Sequence, residues 1–132
     1  MRKTAPIGVF DSGLGGLTVF KALRRVLPSE RLIYFGDTAR LPYGSKSKEA
    51  VTRFSLQVAR FLCRKDVKIL VVACNSASAL ALTALRRALP VPVVGVIDPA
   101  VRRALAVSGR RRVGVMGTEA TIASQAYPSA IR

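Results

Sequence analysis

The sequence predicts an α/β fold built on a parallel sheet, and three observations predict it. Short apolar runs rich in Val and Ile alternate with stretches of helical periodicity along the 132 residues. Strand, helix, strand in succession requires crossovers, which make neighbouring strands parallel and cover both faces of the sheet. Half of the residues are hydrophobic, enough for one folded domain with a real core, and no repeat, low-complexity tract or long linker interrupts the alternation.

The elements follow in order. "IGVF" at 7–10 reads as the first buried strand, after which Leu17, Phe20, Leu23 and Leu27 share one face of a helix that stops at Pro28. "LIYFG" at 32–36 is the second strand, and Val51, Phe54, Val58, Phe61 and Leu62 form the apolar stripe of a second helix. "KILVVA" at 68–73 supplies the third strand, and the helix after it runs from about Ser76 to Leu89 and ends at Pro90. "VPVVGVI" at 91–97 is a fourth strand. A helix from about Pro99 to Val107 ends near Gly109, and "RVGVMG" at 112–117 is a fifth strand.

In an open parallel sheet every strand-to-helix loop lies at the same edge, where ligands bind. Here each strand is followed by polar groups: Asp11 and Ser12 in "DSGLGG", Asp37 in "DTARLPYGS", Cys74, Asn75 and Ser76, then Asp98, then Thr118 and Thr121. Together they predict one polar rim.

The glycines of "DSGLGG" do not follow the G-x-G-x-x-G spacing, and the Lys-Ser/Thr pair of a nucleotide loop is absent. A phosphate cradle is therefore the weakest of three readings, beside a merely tight turn and a turn that presents Asp11 and Ser12 to a small substrate. Cys74 ends a strand just before a helix, where unpaired N–H groups favour a thiolate and can lower its pKa from about 8.5 into the neutral range. Unpaired cysteine is also among the most buried residue types, so position alone leaves core packing and reactivity equally open. Cys63, beside Phe61 and Leu62 late in a helix, reads as packing. The chain has no histidine, the usual base beside a nucleophilic thiol, which leaves Cys74 to act as acid and base itself or with Asp11 as proton partner.

Composition narrows the class further. No apolar run approaches the roughly 18 residues a membrane span needs, and "MRKTAPIGVFDSG" has no signal-peptide core, so no membrane partner and a cytoplasmic location with reduced thiols are expected. Two cysteines without histidine offer neither a disulfide scaffold nor a metal site. The net charge of +15 comes from 22 Lys and Arg against 7 Asp and Glu, with arginine pairs at 24–25, 86–87 and 102–103 and a triplet at 110–112. These scattered clusters read first as solvated faces. A basic non-enzymatic module that binds nucleic acid or another acidic partner is the alternative.

"IGVFDSGLGGLTV", "YFGDTARLPYGSKS", "VVACNSASA", "GVIDPA" and "VGVMGTEATIASQAY" stand in the order and spacing of glutamate racemases, in the aspartate/glutamate racemase family, and cover nearly the whole chain. Aspartate racemases follow the Cys-Asn pair differently and lack the "PYG" segment. The resemblance implies a flavodoxin-like α/β sandwich and a cofactor-independent interconversion of L- and D-glutamate that supplies peptidoglycan. Glutamate is then the substrate, and a homodimer is open. Carried over residue by residue, it makes Cys74 the acid and base on one face of the substrate, with Asp11 beside it. Ser12, Tyr43, Gly44, Asn75, Ser76, Thr118 and Thr121 join Asp11 in binding glutamate. Ser76 stands where the family usually has threonine and keeps the hydroxyl. Family members are about twice this length and pseudo-symmetric, and their second half carries another cysteine followed by Thr-His, a motif absent here. The resemblance therefore divides the chain into a first domain at 1–97, which lacks its completing segment, and the start of a second at 98–132, and predicts an N-terminal portion of such an enzyme.

Overall fold

A computed structural model describes residues 4–109 and 112–132. Four parallel strands, β1 (Ile7–Asp11), β2 (Leu32–Gly36), β3 (Ile69–Val72) and β4 (Val93–Gly95), form one sheet in the order β2-β1-β3-β4. Helix α1 (Leu17–Val26) links the first two strands. Between β2 and β3 lie a 3-10 turn at Tyr43–Ser45 and α2 (Lys48–Cys63). Beyond β3 come α3 (Asn75–Leu80) and α4 (Leu82–Ala88), then β4 and α5 (Ile97–Val107), then α6 (Glu119–Ala123) and α7 (Ala126–Ile131).

Alternation along the strands divides the core. Phe10, Leu70 and Val72 face α2, α3 and α4, where Val51, Val58, Leu62, Ala77, Ala81 and Leu85 close over them. Ile7, Val9, Val71 and Ala73 face the other way, where Val19, Phe20 and Leu23 of α1 pack against them together with Leu32, Tyr34 and Ile69 of the strands. No residue of α1 is fully buried, so the predicted stripe is present but only half covered.

Three expectations change. The long helix after β3 bends at Ala81: the Ser78 hydroxyl, donating to the Val72 carbonyl at 3.0 Å and accepting from Val96 N–H at 3.2 Å, ties α3 to the strand ends. Leu82 of α4 lies directly over Gly95, where an added Cβ would meet it at 2.9 Å. The fourth strand is shorter than 91–97, because Ile97 and Asp98 already form the first turn of α5. The fifth strand, expected at 112–117, is absent. Val113 and Val115 keep the in-out alternation and line a groove with α5 and α7, but the segment has no strand beside it, and a strand needs a ladder partner for its N–H and C=O groups. Of the arginine triplet, Arg110 and Arg111 lie outside the described residues.

Candidate active site

The strand order positions the site. Connections from β1 and β3 leave in opposite directions, so a crevice opens between their C-terminal ends, the place where open α/β sheets take ligands. Asp11 closes β1 and Cys74 follows β3, and the two strands are paired up to Phe10 and Val72, with Ala73 N–H donating to the Phe10 carbonyl at 2.8 Å.

Asp11 is 7% exposed, and its Oδ2 accepts from Gly13 N–H at 3.0 Å. The glycines allow close packing here: a Cβ on Gly16 would stand 2.5 Å from Asp11 Cβ and 3.0 Å from Ala73 Cβ, so the start of α1 sits directly against the carboxylate residue. Tyr34 ties down the same turn by donating its hydroxyl to the Gly13 carbonyl at 2.8 Å. Burial, then the charges of Asp11 and Cys74, push its phenol up to about 12, so it remains a donor at neutral pH.

Cys74 is 5% exposed and caps α3, its Sγ accepting from Ala77 N–H at 3.4 Å. Burial pushes its thiol above the ordinary value and the Asp11 charge adds to this, while Ala77 N–H and the hydroxyl and N–H of Ser12 pull the other way. The lowering expected at a helix N-terminus is thus outweighed: the resting group is a thiol, poised beside donors that favour its ionised form. Cys63 lies at the opposite edge of the sheet, lining a cavity of about 430 Å³ with Asp66, Val67 and Pro90, and burial raises its thiol too.

Three hydroxyls close the other side of the rim. Ser76 Oγ lies 3.0 Å from Thr118 Oγ1 and 3.4 Å from Thr121 Oγ1, and Thr118 caps α6 by accepting from Thr121 N–H at 3.3 Å. Asn75 opens α3 beside them and accepts the Tyr127 hydroxyl. Gly44 packs against Thr118, where a Cβ would come within 2.4 Å. The Tyr43 side chain is 1% exposed and donates its hydroxyl to Asp37 Oδ2, so what this segment can offer a ligand is its main chain. Asp98, expected in the rim, lies exposed on α5 and lines a groove with Ser78 and Ala126.

Two residues here take roles that sequence reasoning did not assign, one of them already placed in the rim. Asp37 is 5% exposed, accepts from Tyr43 and from Arg40 Nε at 2.8 Å, and donates its own N–H to the Asp11 carbonyl at 3.0 Å, so it joins the two loops. A carboxylate ending a strand was its signal. Tyr127 carried no local signal. Among the described residues no cluster of three or more His, Cys, Asp or Glu side chains could hold a metal ion, and no helix is long and apolar enough to cross a membrane.

A parallel α/β domain that sets a buried thiol beside a carboxylate at its switch point, ringed by hydroxyl and amide donors, has the parts for proton transfer to and from carbon. The chain belongs to the Asp/Glu/hydantoin racemase family, whose sequence profile matches residues 7–132. It is 63% identical over 126 residues to the glutamate racemase of Geobacter metallireducens, a match that covers 96% of this chain and 47% of that protein. The crystal structure of the Thermus thermophilus glutamate racemase in complex with β-chloro-D-alanine superposes with a TM-score of 0.88 at 58% identity, covering 96% of this chain and 48% of that one. The Francisella tularensis glutamate racemase in complex with D-glutamate gives 0.88 at 46% identity, covering 97% and 48%. The chain thus spans about half the length of the relatives it matches. The family assignment leaves the basic-module reading without support.

Proposed function

We propose that this chain carries one face of a cofactor-independent glutamate racemase site, with Cys74 as the proton-transfer group. The observation that carries the reading is the pairing of Cys74 and Asp11 across the β1/β3 crevice, with the Ala77 N–H donating to the sulfur and Ser12 favouring its ionised form. The Cys74 thiolate takes the α-proton of glutamate, forming S–H as the Cα–H bond breaks, and the electron pair passes into the adjacent carboxylate. Donors that meet this growing charge lower the barrier. Asn75, Ser76, Thr118, Thr121 and the main chain at Tyr43–Gly44 are the groups we assign to the substrate's carboxylates. Ser12 and Asp11 hold the thiol and the ammonium. Identity to glutamate racemases supports this choice of substrate, as does the Francisella enzyme's structure in complex with D-glutamate.

Inversion needs a second acid on the opposite face of Cα, and Cys63, at the far edge of the sheet, is no candidate for it. Complete racemisation, and with it D-glutamate supply to peptidoglycan, is assigned to an assembly in which residues 98–132 open a second lobe and a group from outside these 132 residues supplies that acid. We place it in the cytoplasm, where both free thiols stay reduced.

Incubation of the chain with D-glutamate in deuterated water tests this. Deuterium should enter the α-position with retention of the D-enantiomer, and Cys74→Ala should abolish the exchange. Exchange that persists in Cys74→Ala, or none in the parent chain, sinks the assignment.

A further inference from the structure

Tyr127 stands 52 residues from Asn75 in the chain, and its hydroxyl donates to Asn75 Oδ1 at 2.5 Å. We infer that Tyr127 is a positioning residue: it holds the Asn75 carboxamide so that Oδ1 is occupied and Nδ2 is left to donate to a substrate carboxylate beside Cys74. The inference deepens the glutamate reading and rests on it for the identity of that carboxylate.

Asn75 is exposed, at the first position of α3 and next to the thiol. A carboxylate has no hydrogen to give, so it can use only Nδ2 of an asparagine, and an unrestrained amide would spend part of its time presenting Oδ1, which repels it. Fixing the flip removes that loss before substrate arrives. Among the described residues the Tyr127 phenol has one hydrogen-bond partner, Asn75, and burial keeps its proton on.

The backbone aims the ring. Gln125 takes a left-handed conformation, φ 57°, which turns the chain sharply between α6 and α7, and Ser124 Oγ accepts from Ala126 N–H at 3.2 Å to hold the turn. Helix α7 lies against α5, and Tyr127 and Ile131 line a groove with Val101 and Ala104 of α5 and with Val113 and Val115. α6 in turn is tied to α3 through Ser76, Thr118 and Thr121, so both ties from the last 15 residues reach the first turn of α3.

Asn75 is the only asparagine in the chain, so labelling with ¹⁵N-asparagine leaves a single side-chain amide pair to follow by NMR. Tyr127→Phe removes one oxygen and keeps the ring that α7 packs with. In this variant the Nδ2 pair should shift, and the dissociation constant for D-glutamate, read from the same signal, should rise about tenfold. The unfolding midpoint, measured alongside, separates lost positioning from lost fold. An Nδ2 pair unchanged by Tyr127→Phe overturns the contact itself, and a shifted pair with unchanged affinity overturns the positioning role. A parent-chain signal that ignores D-glutamate yet responds to Tyr127→Phe overturns the glutamate reading and reduces the contact to packing.

Discussion

Cys74 caps α3 with its sulfur yet holds its proton more tightly than a free thiol, because burial outweighs the Ala77 and Ser12 donors that favour the thiolate. The sign follows: with the pKa raised, the protonated form persists to higher pH, and the base form grows only beyond the usual thiol value near about 8.5. In a Cys63→Ala background, alkylation of Cys74 by iodoacetamide should therefore keep accelerating above pH of about 8.5, close to tenfold per unit, with a plateau below that value as the contrary result. Sequence position alone named the residue and left its state open, since the N-terminal dipole of a helix can be read from a sequence but desolvation cannot. The same limit applies to Tyr43. Its place in "PYG" marked the loop as functional, whereas the fold commits its hydroxyl to Asp37.

At the scale of elements, the turn between β1 and α1 is held by contact between neighbours. Gly16→Ala would press a methyl group onto Asp11 and Ala73, at 2.5 and 3.0 Å, and is expected to destabilise the chain by about 1–3 kcal/mol in urea unfolding and to displace Asp11. Gly13→Ala is the control: its Cβ would meet only Leu41 at 3.6 Å, an ordinary contact, and its cost should stay below about 1 kcal/mol. Equal losses in the two variants would count against packing as the reason for Gly16. Periodicity marked α1, α2, α5 and the four strands that form, because their apolar residues meet a partner surface. It did not mark the break at Ala81, which depends on Ser78 reaching Val72 and Val96 across space, and it overstated 112–117, whose pattern is that of a strand but which has no neighbour to pair with.

Across the whole molecule the two faces of the sheet are unequally covered. Val94, paired with Val71 on the α1 side, is 39% exposed, and Met116 is fully exposed within the unpaired segment 112–117. Apolar surface of this kind promotes self-association. Met116→Gln combined with Val94→Thr should lower binding of a hydrophobic dye and delay aggregation, with stability changed by no more than about 0.5 kcal/mol; unchanged dye binding would place the sticky surface elsewhere. The sequence by itself determined the parallel α/β class, the positions of the four strands among the five it suggested, and the residue types that collect at their C-terminal ends, because alternation, helical period and strand-end polarity are local properties of the chain. Only the tertiary structure decided that β1 and β3 are neighbours, that Asp37 bridges two loops, that Tyr127 reaches Asn75 and that burial sets the protonation of Cys74. Each of these depends on groups far apart in sequence meeting in a shared, partly dehydrated space, and no local pattern encodes that meeting.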